Sequence, residues 1–169
     1  MFSFFVFSMM IKNLSLALVV FSPFSAHADF IGKVIKISDG DTITVLVKQQ
    51  QKRIRFSQID APESKQAFGQ KSRQNLSFIH GKSVYVQENS TDRYGRTLGT
   101  VYLINNGKTP NLTLSNSINY KQVKDGYAWA YREYLKNNEL LSLEAAARKQ
   151  KIGLWSDPNP IYPSKYRNK

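Results

Sequence analysis

The sequence predicts an α+β domain, a small closed barrel of five short strands carrying three helices. Three observations carry this expectation. Segments of period-two alternation fill residues 30 to 59 and return near 84–86 and 98–104. A single helical segment interrupts them after the third strand. Two more helical segments follow the fifth strand.

Ile31, Val34, Ile35 and Ile37 form the first strand and lead into Ser38-Asp39-Gly40, a turn. Ile43, Val45 and Val47 alternate with Thr42, Thr44, Leu46 and Lys48 in the second. Gln49 to Lys52 is polar and reads as a turn. Arg53-Ile54-Arg55-Phe56 resumes the alternation, and the strand is expected to run to Asp60, where Ala61-Pro62 stops it. Residues 65 to 80 read as a helix, with Phe68, Ser72, Leu76 and Ile79 on one face and His80-Gly81 at its end. Val84-Tyr85-Val86 and Leu98 to Ile104 are the last two strands, joined by the charged turn Asp92 to Arg96. Asn105 to Ser117 reads as a surface loop. A short helix is expected at Ile118 to Lys124 and a last one at Asn138 to Lys151, with Gly126 and Gly153 as terminators. The tail beyond Trp155 holds Pro158, Pro160 and Pro163 and is expected to be extended. Five short strands with a helix after the third match an OB-fold barrel.

The chain has 169 residues, enough for one ordinary domain. Residues 1–28 read as a secretory signal peptide: Lys12, an apolar run, then Ala26-His27-Ala28 as a small-x-small cleavage site. Met1, Met9 or Met10 can serve as the start. A membrane anchor is the alternative, but the uncharged stretch is short and broken by Pro23. The remaining 29–169 form the domain, expected in the periplasm or the medium. The net charge is +12, and removing the leader with its lone Lys12 leaves +11. That balance calls for an anionic partner, a nucleic acid or an anionic membrane face. Cysteine is absent, so disulfides and thiolate zinc sites are excluded. Outside the leader the one histidine is His80, at a helix end, which leaves chemistry built on a histidine base or nucleophile almost nothing to use.

Three short motifs carry chemistry. Asp39-Gly40-Asp41-Thr42 is by itself a common turn, without the spacing of a calcium EF-hand loop. Arg55-Phe56-Ser57-Gln58-Ile59-Asp60-Ala61-Pro62-Glu63 brings a cation toward two acids. Thr91-Asp92-Arg93-Tyr94-Gly95-Arg96 presents cations and an aromatic ring on one turn. Together they offer carboxylates Asp41 and Asp60 for a hard cation, Glu63 for a water, and Arg55 and Arg96 for a phosphate. These are the parts of metal-assisted phosphodiester hydrolysis.

On these motifs the chain resembles the staphylococcal-type thermonuclease family over nearly all of residues 30 to 157. Gly126-Tyr127-Ala128-Trp129-Ala130-Tyr131 and Gly153-Leu154-Trp155 match the family's C-terminal half. The resemblance implies a five-stranded OB barrel with three helices. It implies that Asp41, Asp60 and the Ala61 carbonyl bind one calcium ion, Ca2+. It implies that Glu63 is the general base, that Arg55 and Arg96 hold the scissile phosphate, and that Tyr94 and Tyr131 flank the nucleotide. Alanine at 61 departs from the threonine of the family's best-known member, yet the carbonyl survives. The implied substrates are DNA and RNA, cut with little sequence preference by a monomer. A non-catalytic OB module that grips nucleic acid is the first alternative. A membrane-active cationic protein is the second, but the last helix, with Ala145, Ala146 and Ala147, lacks the apolar bulk it needs.

Overall fold

The computed structural model describes residues 28–136 and 138–168. The expected leader lies, but for Ala28, outside the described residues. Five strands form a closed barrel: β1 (Phe30–Ile37), β2 (Thr42–Val47), β3 (Gln50–Phe56), β5 (Ser83–Thr91) and β6 (Thr97–Leu103), in the order β1-β2-β3-β6-β5. Only the β3–β6 pair is parallel; the others are antiparallel. Two short strands, β4 (Ile59–Asp60) and β7 (Trp129–Ala130), pair beside it. The helices are α1 (Gly69–Asn75), α2 (Ile118–Lys124), α3 (Glu139–Lys149) and α4 (Pro163–Arg167). The expected α+β barrel is therefore the observed one, with a fourth helix added. Among the described residues no helix is long and apolar enough to cross a membrane.

Period-two alternation explains the barrel interior. Val34, Ile43, Val45, Ile54, Val84, Val86 and Val101 point inward and are fully buried, and Phe56 joins them. A bulge between Val34 and Lys36 resets β1, so Val34 and Ile37, three apart, both face in. Leu76, Ile79, Ile118, Val123 and Leu140 seal the barrel from the helical side. A second cluster, Trp129, Ala147, Leu154 and Trp155, takes in Phe68 and Tyr162.

Four local expectations are corrected. The turn before β3 is only Lys48 and Gln49, both at positive φ, so polar Gln50–Lys52 are already strand. The third strand does not run through to Asp60. It breaks at Gln58, whose φ is 65°, and β4 leaves in a new direction. The helix after Pro62 starts at Gly69 rather than 65, because Phe68 is left-handed at φ 65°; it yields to a 3-10 turn at Ser77–Ile79. The tail is not wholly extended. Pro163, with its φ preset for a first helical position, opens α4.

Candidate active site

Asp41 sits at the mouth of β2, where register pairs Thr42 with Arg55 and Phe56 N–H donates to the Asp41 carbonyl at 2.8 Å. The break at Gln58 folds the chain back on itself. Arg55 and Asp60, five apart, therefore touch, which one continuous strand would forbid by placing them on opposite faces. The Arg55 guanidinium spans both acids: Nη2 donates to Asp60 Oδ1 at 2.8 Å and Nη1 lies 3.1 Å from Asp41 Oδ2. Nη1 also donates to the carbonyls of Phe56 (3.0 Å) and Ile59 (2.9 Å). Among the described residues, Nε and the second Nη2 proton take no partner.

The Ala61 N–H donates to Asp41 Oδ2 at 2.6 Å, tying the third expected ligand residue to the first. Thr42 Oγ1 donates to Asp41 Oδ1 at 3.0 Å. Asp60 is fully buried, and burial raises its pKa to about 6 although the Arg55 charge pulls the other way. Asp39 accepts from the Asp41 N–H at 3.1 Å, and burial with the Asp41 charge raises it to about 7. Gly40 between them is required by packing: a Cβ there would lie 1.8 Å from Ser72 Oγ on α1. Gln122 Nε2 donates to the Gly40 carbonyl at 2.6 Å and fixes the loop from α2.

Asp41 and Asp60 are hard oxygen donors, buried and close enough to share one guanidinium, with the Ala61 backbone beside them. That donor set fits calcium, which accepts few protein oxygens when water completes the shell. Among the described residues no group of three or more His, Cys, Asp or Glu side chains is gathered for a metal. An ion here would thus be held by the carboxylate pair and the peptide.

Glu63 stands on the irregular loop between Pro62 and α1. Its N–H donates to Gln66 Oε1 at 3.1 Å, and Gly69 packs so closely that a Cβ would lie 2.0 Å from the Glu63 carbonyl. Its carboxylate receives Arg167 Nη1 at 2.6 Å, and Arg167 Nη2 reaches Asp60 Oδ2 at 3.4 Å. Sequence reading missed Arg167. Pro163 could have announced a helix, but a contact spanning 104 residues leaves no local trace.

Arg96 is held locally. Asp92 Oδ2 accepts from its Nε at 2.7 Å, and Asp92 Oδ1 accepts the N–H groups of Tyr94 and Arg96. Arg96 immediately precedes β6, whose parallel ladder with β3 begins at Ile54 and Thr97 and pairs Arg55 with Leu98. The Tyr94 ring is exposed, with the Arg93 and Arg96 guanidiniums 4.8 and 5.5 Å from its centre. Tyr131 follows β7, packs on Tyr134 at 4.8 Å, and has its pKa raised by burial and then by the nearby Asp60 charge. The structure thus gathers Asp41, Arg55, Asp60 and Ala61 directly, and joins Glu63 to Asp60 only through Arg167. It places Tyr131 within the field of Asp60, and it puts Arg96 and Tyr94 on the adjoining hairpin.

A family model described as staphylococcal nuclease homologue matches residues 53–157. A protein named micrococcal nuclease from Shigella flexneri is 46% identical over 162 residues, covering 93% of this chain and 91% of that one. Protein ParB of Escherichia coli is 46% identical over 153 residues, 89% of this chain and 85% of its own. An Escherichia coli protein named as an uncharacterized endonuclease is 40% identical over 159 residues, 94% and 98% of the two chains. Barrel, motif order and similarity over most of its length agree: the chain belongs to the staphylococcal nuclease family.

Proposed function

We propose that this protein is a secreted, calcium-dependent nuclease that hydrolyses phosphodiester bonds of DNA and RNA with little sequence preference. The observation that carries the reading is the Arg55 guanidinium bridging two buried carboxylates, with Glu63 on the next loop. Asp41, Asp60 and the Ala61 carbonyl would hold the calcium ion, which when bound neutralises charge on a phosphate oxygen. Glu63 takes a proton from the attacking water as its oxygen bonds to phosphorus. The bond to the leaving sugar oxygen breaks on the opposite side, and that oxygen is protonated from solvent. Arg55, through Nε and its spare Nη2 proton, and Arg96, through its Nη groups, donate to phosphate oxygens as charge builds on them. Tyr94 and Tyr131 flank the nucleotide. Stacking and phosphate contacts do not read base edges, which supports broad action. The +12 charge favours a polyanion.

Incubation of the purified protein with plasmid DNA and with RNA tests this. Cleavage in calcium that stops with chelator supports it. Retarded but intact DNA supports the binding-module alternative instead. Export rests on the sequence of residues 1–28, and the intact mass of the exported protein, expected to begin at Asp29, tests it. The protein is proposed to act as a monomer.

A further inference from the structure

Glu63 is oriented by almost nothing on its own loop. The segment between Pro62 and Gly69 has no helix or strand. The Gln66 and Gly69 contacts hold its backbone only. Its side chain is 36% exposed, and among the described residues the one partner of its carboxylate is Arg167. An unrestrained glutamate at that exposure samples many rotamers, whereas a base must stay within hydrogen-bond reach of its proton.

Arg167 is well placed to supply the restraint because the tail that carries it is fastened. The Tyr162 ring meets Trp129 edge-on at 5.5 Å. Gln66 accepts from the Glu63 N–H and donates to the Ile161 carbonyl at 2.5 Å, so one side chain clips the base loop to the tail. Pro163 is buried and starts α4, and Arg167 is its last residue. The contacts then run without a gap: Arg55 to Asp60, Asp60 to Arg167, Arg167 to Glu63.

We propose that Arg167 is a positioning residue of the active site. Its guanidinium fixes the Glu63 carboxylate through Oε1 and leaves Oε2 to take the proton from water. The fork geometry also sets the spacing between the base and Asp60. A base oriented by a third group is a recurring arrangement in catalysis. This inference rests on the hydrolase reading above.

The test uses the full mature chain carrying Arg167→Gln or Arg167→Lys, each made with Glu63 intact and with Glu63→Gln. kcat, KM and thermal midpoint are measured at saturating calcium. Arg167→Gln should lower kcat by roughly 10- to 100-fold, the scale of an ångström-sized misplacement. KM should stay within about twofold, since the interaction acts on chemistry rather than binding. The thermal midpoint should hold, and lysine should restore part of the rate. In the Glu63→Gln background, Arg167→Gln should change the residual rate by less than about twofold, because the two residues act as a unit. An unchanged or raised kcat overturns the inference, a raised one marking Arg167 as a latch on the carboxylates. Equal losses in both backgrounds overturn it too, because Arg167 would then act on the substrate directly. An inactive wild-type protein fails the hydrolase reading and takes this inference with it. An active wild type with an indifferent Arg167→Gln fails this inference alone.

Discussion

Arg55→Met removes the strut between two buried acids while keeping most of the side-chain volume. The side chains involved are 10% exposed for Arg55, 7% for Asp41 and 1% for Asp60, so water cannot replace the lost charge. Deleting one partner of a buried ion pair costs about 3–5 kcal/mol, mainly because the other charge is left uncompensated. For a domain of this size each kcal/mol moves the thermal midpoint by about 2–4 °C. The expected fall is therefore roughly 6–20 °C. The deficit should also depend on pH. Burial raises Asp60 from 3.8 to about 6 even with Arg55 present. The native state thus binds more protons than the unfolded one between those values, and this group's contribution to stability falls as pH rises through them. Without Arg55 the Asp60 pKa rises further, and the penalty continues to a higher pH. Urea unfolding of both proteins in chelator should show the largest difference near pH 8 and a smaller one at pH 5. Adding Asp60→Asn to Arg55→Met should recover part of the loss at pH 8. A loss under about 1 kcal/mol, the range of exposed pairs, would refute the reasoning. So would a deficit equal at both pH values.

Glu63→Gln should lower kcat by ~10²-fold or more with an unchanged circular dichroism spectrum, the scale of a positioned acid–base group; an active variant rejects the base role. Arg96→Lys keeps the charge and loses the fork, and kcat/KM should fall by ~10²-fold; a near-normal rate would mean that charge alone suffices there. Gly40→Ala must push either the Asp39–Thr42 loop or Ser72, because the added Cβ would sit 1.8 Å from Ser72 Oγ. Its expected cost is about 1–3 kcal/mol, typical of overpacking, together with weaker calcium binding. Titration calorimetry and thermal melts measure both, and an unperturbed variant would show that α1 does not brace the loop.

Sequence periodicity made the strands of the barrel legible, since Ile43, Val45 and Ile54 alternate in plain view and all point inward. α2 was legible in full, from Ile118 to the Gly126 stop. The features that escaped are those where backbone conformation has no residue signature. Lys48, Gln49, Gln58 and Phe68 take positive φ without being glycine, and they set the β2–β3 turn, the break that joins Arg55 to Asp60, and the late start of α1. The candidate site residues stand in motifs that the sequence displays, but the contacts between them were not legible there. Arg55 bridging two acids needs the turn at Gln58. Arg167 on Glu63 needs a tail docked by Tyr162 and Gln66. Long-range packing decides both, and neither leaves a local pattern.

The most direct measurement is the cleavage rate of one defined oligonucleotide against free calcium concentration, for the wild-type protein and for Asp41→Asn and Asp60→Asn. Two carboxylates and one peptide carbonyl would form an open site, so half-maximal rate should fall in the ~10⁻⁴–10⁻³ M range of extracellular modules. The rate should vanish in a calcium-selective chelator, return with calcium, and return only in part with magnesium, which holds its waters tightly. Each asparagine variant should need more calcium for half activity. Undiminished hydrolysis in excess chelator would contradict the assignment of Asp41, Asp60 and Ala61 and the mechanism built on it.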